Sequence, residues 1–241
     1  MSLMVSWWAW ASGVAPAAAD CERIGSGVFA QPANTLSGVA FLLAGAWIVV
    51  RSRRSPGKRV ELAVFGLAVA ANAVGGLLYH GIGTDAARWV HDEAILAVLA
   101  FVAVFAVARF RGWPTAGTVT TFVASLAGLG LLLALVPASS SAMYAVLGVG
   151  AGAWELGEYR HELPAMRAEG LTPRRAARLG VAAVALLAAT AFFVGRTGAA
   201  LCRPESVFQW HAVWHVLAAA AMALYAYAAI EPRARRLSPA A

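Results

Sequence analysis

Four of the five histidines in this 241-residue chain stand in apolar surroundings, where an imidazole needs a reason. His211 and His215 are four positions apart in the run Gln209-Trp210-His211-Ala212-Val213-Trp214-His215. On a helix they share one face and lie about 6 Å apart along the axis. That is the spacing by which one helix offers two imidazoles to a single metal ion. A third ligand from another segment completes a zinc site that keeps its fourth position open, and His80 is the natural candidate. Asp92 is then placed to take a proton from water at the metal. Two other chemistries suit the same residues. One is haem held by His80 and one of the pair, which leaves the other histidine idle. The second is a proton or ion path lined by His and Asp. His91 adjoins Asp92 and shares its depth. His161 sits between Arg160 and Glu162 and reads as a solvated residue.

The elements that position these groups follow from composition. Hydrophobic residues make up 61% of the chain and charged residues 13%, against about 25% charged in soluble domains. Long stretches are apolar on every face, as in helices whose solvent is lipid. The sequence predicts an all-α integral membrane bundle of seven transmembrane helices: Asn34 to Val50, Val60 to His80, Val90 to Arg109, Ala116 to Val136, Ala142 to Glu158, Leu179 to Val194 and Phe208 to Ile230. Residues 34–241 form this single domain. Residues 1–33 precede it as an interfacial segment, with Trp7, Trp8 and Trp10 at headgroup level. The small-residue run Ala15 to Ala19 also suits a cleaved signal.

Charge sets the orientation. Fifteen of the nineteen cations fall at 51–59, 109–111, 160–178 and 233–236, at alternate ends of the spans. Cytoplasmic loops carry such an excess, so the N-terminus is expected outside and the C-terminus in the cytoplasm. The net charge of +7 then reflects topology and contact with anionic lipid. No basic-aromatic groove supports nucleic-acid binding. Lys58 is the sole lysine among the nineteen basic residues, an association with GC-rich bacterial genomes that points to a bacterial inner membrane. His80, His91, Asp92, His211 and His215 then gather near the outer side. Ionisable groups in a span are functional candidates by default. Cys21 and Cys202 fall on that same side, where disulfides persist. A bridge joining the two ends of the bundle competes with two unpaired thiols. Glu155 and Glu158, near the inner end of the fifth span, read as an interfacial anchor with one acid paired to Arg160, or as a second polar site facing the bundle.

Several of these residues resemble the alkaline ceramidase family, within the superfamily of seven-helix membrane hydrolases that includes the adiponectin and progestin receptors. The resemblance rests on Cys21-Glu22 with Asn34-Thr35-Leu36-Ser37, on Tyr79-His80, on Asp92-Glu93, and on the stretch Phe208 to Val216, FQWHAVWHV. It implies a zinc hydrolase that cleaves the amide of a ceramide-like lipid. His80, His211 and His215 would be the metal ligands, Asp92 would activate water, and an extracytoplasmic disulfide would be present. The substrate's long acyl chain would lie in the bundle, where Gly75, Gly76, Gly148, Gly152 and Gly157 leave space or pack helices closely. Two departures stand out. Gly76 replaces a serine of the family one turn before His80, where a regular helix would aim it at the metal. Gln31 replaces an acidic residue of a calcium site, so calcium is expected to be weak or absent.

Overall fold

A computed structural model describes residues 19–230, apart from the side chains of Glu162, Ala165 and Glu169. It is all-helical, with no strand among the described residues. Trp7, Trp8, Trp10 and the basic residues of 233–236 lie outside those residues.

The elements are α1 (Pro32–Ser37), α2 (Val39–Ser52), α3 (Arg59–Gly76), α4 (Asp85–Arg111), α5 (Thr115–Leu135), α6 (Ser140–Glu169), α7 (Pro173–Val194) and α8 (Trp210–Tyr225). A wide π turn, Leu77–Ile82, continues α3, and another, Ala226–Ile230, continues α8. Six segments are long and apolar enough to cross a membrane: Pro32–Ser52, Pro56–Ile82, Asp85–Arg111, Thr115–Leu135, Pro173–Val194 and Trp210–Ile230. They make this a multi-pass membrane protein, because helices satisfy their backbone groups within the segment where no water is at hand. The fifth predicted span lies inside α6, which falls outside that set of six. α6 also runs past Glu158 and through Pro164 to Glu169, so Arg160 and His161 ride on a helix where a loop was expected.

Two boundaries bear on the site. α4 starts at Asp85, five residues ahead of the predicted Val90. Thr84 caps it by accepting from Ala87 N at 3.1 Å, and Asp85 suits the positive end of the helix dipole. His91 and Asp92 therefore sit in its second turn. At the end of α3 the regular α geometry assumed for residues 76 to 80 gives way to the π turn, with His80 inside it.

The seam between α2 and α3 is extensive, as is that between α7 and α8. α4 lies against α3, α5 and α6, and α8 returns to α2. A Cβ added to Gly45 would lie 2.5 Å from Gly66 O, so glycine is what lets α2 and α3 cross this closely. A Cβ on Gly75 would lie 2.8 Å from His91 Cα, so α3 and α4 touch at the level of the polar site. The core is apolar, with Phe65 and Phe101 centroids 5.0 Å apart and Phe101 and Phe105 5.8 Å apart. Large apolar side chains such as Leu43, Leu67, Leu131, Leu186 and Phe193 face outward. In water that surface would aggregate; in lipid it is solvated.

At the far end of the bundle, Glu158 takes Arg109 at 2.7 Å, not Arg160. Glu155 faces inward and accepts a long hydrogen bond of 3.4 Å from the Tyr225 hydroxyl. The two acids thus divide between the two readings: a cross-helix ion pair and a bundle-facing carboxylate.

Candidate metal centre

His80, His211 and His215 come together. One ligand atom from each lies within 4.8 Å of the other two, a group able to hold a metal ion. All three are buried, at 0%, 3% and 2% exposure. The His80 ring centroid is 5.0 Å from that of His211 and 5.3 Å from that of His215. The π turn of α3 and the start of α8 carry them.

Each Nδ1 has its own polar neighbour. His80 Nδ1 is 2.8 Å from Gln31 Oε1, an acceptor, so the ring donates there. His215 Nδ1 is 2.7 Å from Ser37 Oγ. Ser37 places its hydroxyl proton on Asn34 O at 2.9 Å, which leaves its oxygen to accept from the ring. His211 Nδ1 lies 3.2 Å from Asp20 Oδ1, a close approach without an aligned hydrogen bond. A proton on Nδ1 leaves the lone pair on Nε2. The Nε2 atoms of His80 and His211 are buried with no hydrogen-bond partner. Unpaired buried polar atoms are costly, and an ion bound by them removes the cost. Three imidazoles, two of them oriented by outer oxygens and the third beside a carboxylate, are a donor set that zinc takes, so the residues fit the metal that the resemblance implies.

A strap over residues 19–31 supplies two of the orienting groups. The Cys21–Cys202 disulfide fastens it, as the shared side of the two cysteines suggested. Cys21 N also donates to Gly195 O at 2.9 Å, and Asp20 bridges to Arg196. Burial pushes the Asp20 carboxyl up to about 6, with His91 and Arg196 pulling it down.

Asp92 stands beside the trio and outside it. It is 7% exposed. Its Oδ1 lies 3.1 Å from His91 Nδ1 and its Oδ2 lies 3.6 Å from Arg88 Nε. The His91 ring stacks on Tyr79 at 4.6 Å and meets the His80 ring edge-on at 5.6 Å. Asp92 also lines a cavity of about 170 Å³ with Asp85, Arg88, Trp89, Leu133 and Pro137. Asp92 and His91 thus stand between this cavity and the His80 ring.

Around Gly76 there is room: an added Cβ meets nothing within 4 Å. The hydroxyl that does reach the trio belongs to Ser37. The sequence reading assigned no role at the trio to Ser37, Asp20, Gln31 or His91. His91 carried a signal as an imidazole next to Asp92, and Ser37 and Gln31 carried one only through the resemblance.

No protein-family model matches this chain, and no curated protein is significantly similar to it.

Proposed function

We propose that the chain is a seven-span membrane hydrolase that holds zinc at His80, His211 and His215 and cleaves an amide bond in a ceramide-like lipid. The observation that carries the reading is the set of three buried imidazoles, each with an oxygen beside its Nδ1 and with free Nε2 atoms on His80 and His211. When bound, zinc polarises a carbonyl and brings the pKa of water to roughly 7. Asp92 accepts the proton of the attacking water and returns it to the leaving amine. His91 and Arg88 hold its carboxylate. His80 sits in the wide turn, fixed by Gln31, while Asp20 and Ser37 orient the α8 pair.

The acyl chain enters from lipid beside α6. That helix lies along α4, with no comparable seam against α7. Gly148, Gly152 and Gly157 on α6 would place a Cβ in open space, whereas Gly75 is a close-contact residue. α6 supplies the seventh span. The cation distribution supports an N-terminus outside and a C-terminus in the cytoplasm, with the metal centre toward the outer side; the membrane of this reading is a bacterial inner membrane. The N-terminal strap and its disulfide agree with that side.

One observation favours a second reading. Full burial of the trio also suits a structural metal that staples α3 to α8 in a receptor or transporter. Turnover of a fluorescent ceramide by purified protein separates the two. Hydrolysis abolished in Asp92→Asn with zinc still bound supports the enzyme; inert protein with full zinc supports the staple. A Soret band in the purified protein would instead establish haem.

A further inference from the structure

We propose that Gln31 is a positioning residue whose side-chain amide takes the place of a bridging cation, clamping the 19–31 strap to His80 and fixing that ring as a ligand. Gln31 is wholly buried. Its Nε2 donates to Glu22 O at 2.6 Å and to Asp20 O at 3.3 Å. Its Oε1 accepts from His80 Nδ1 at 2.8 Å and from Asn34 Nδ2 at 3.4 Å. The main chain joins the same partners, with Gln31 N donating to His80 O at 2.9 Å. The amide thus reads two strap carbonyls with its nitrogen and a ligand histidine with its oxygen.

Only a primary amide does both from one carbon. Two carbonyl oxygens converge on the Nε2 position, and Asn34 Oδ1 is buried close by without a donor. These oxygens, without a nitrogen donor, are part of the set of about six to eight, water included, that a calcium-sized cation takes. Glu22 is occupied elsewhere, accepting from Ala33 N and Asn34 N at 2.8 Å each. A carboxylate at position 31 has the same shape and offers acceptors alone. One of its oxygens would face the two carbonyls with nothing between them. Once ionised, at a pH held above the pKa of the new carboxyl, Gln31→Glu therefore turns a self-sufficient clamp into one that needs a divalent cation of calcium's size.

The zinc arm of this inference rests on the metal reading above; the clamp arm does not. The full chain is purified in detergent as wild type, Gln31→Glu and Gln31→Met. Zinc affinity is measured by chelator competition and thermal midpoint by unfolding, each in EGTA, in calcium chloride and in magnesium chloride. Wild type should be indifferent to calcium. Gln31→Met should bind zinc about 10- to 100-fold more weakly, with no response to calcium. Gln31→Glu should match that loss in EGTA and regain zinc affinity and thermal midpoint in calcium, with magnesium a poor substitute. Wild-type zinc affinity in Gln31→Met overturns the positioning role. Gln31→Glu that is as stable in EGTA as in calcium overturns the clamp. If wild type binds no zinc, the metal reading fails, and the calcium response of the Gln31→Glu midpoint still decides the clamp. If Gln31→Glu folds in no buffer, calcium included, the clamp is likewise overturned.

Discussion

Each imidazole of the trio has a different oxygen beside its Nδ1: an amide on His80, a hydroxyl on His215 and a carboxylate beside His211. Removing a ligand and removing its orienting partner should therefore differ in degree. His80→Ala, His211→Ala and His215→Ala should each abolish bound zinc, read by elemental analysis of purified protein. Full occupancy in any one of them removes that residue from the ligand set. Ser37→Ala should keep the metal with affinity about 10- to 100-fold lower. In the proposed mechanism Asp92 takes the proton, and it lies outside the trio. Asp92→Asn should leave zinc content unchanged while turnover of a lipid amide falls by about 10² to 10⁴. Loss of zinc in that variant would show Asp92 to be part of the metal cage.

Among the elements, the π turn and two glycine contacts set the site. Gly45 is the tighter constraint, because the atom a methyl would meet is the Gly66 carbonyl, which belongs to a helix and cannot yield. Gly45→Ala should lower the thermal midpoint by several degrees, from an overpacking cost of about 1 to 3 kcal/mol. Gly76→Ser is the contrasting case. Its Cβ meets nothing within 4 Å, so the midpoint should hold. If the added hydroxyl reaches the reacting carbonyl, ceramide turnover should rise, and only while Asp92 is intact. A single such donor is worth about 10² to 10³ in rate elsewhere. Unchanged turnover would mean that the wide turn points residue 76 away from the reacting carbonyl.

For the whole molecule, the disulfide and the charge pattern make independent predictions. Cys21 and Cys202 are 181 positions apart. Closing so long a loop restricts the unfolded chain by about 5 kcal/mol in the entropy model, and less where native strain intervenes. Cys202→Ser should lower the thermal midpoint and loosen the strap that carries Asp20 and Gln31. The wild-type protein, denatured without reductant, should take up no thiol label. Orientation is tested separately. A reporter active only in the cytoplasm should work when fused after Arg236 and fail after Arg88, since the cation bias governs short loops. Activity at both points would mean that the chain does not cross as α6 and the charges together require.

Read alone, the sequence determined the solvent of the fold and named the three histidines that gather at its centre. Apolar stretches near 20 residues long dictate helices in lipid, and six of the seven predicted spans recur as membrane-length helices. The four-residue spacing of His211 and His215 put both on one face before any partner was known. Such periodicity is local: it orients a side chain about its own helix axis and leaves the facing neighbour unspecified. The rotation and depth of one helix against another come from contacts summed over the bundle. Only the tertiary structure therefore decided that His80 meets Gln31, 49 positions away, and that His215 meets Ser37, 178 positions away. It also decided that Glu158 pairs with Arg109 across the bundle and not with Arg160 nearby. The wide turn at His80 was equally invisible, and it is where the strap docks: Ala30 and Gln31 donate backbone hydrogen bonds to Gly81 O and His80 O.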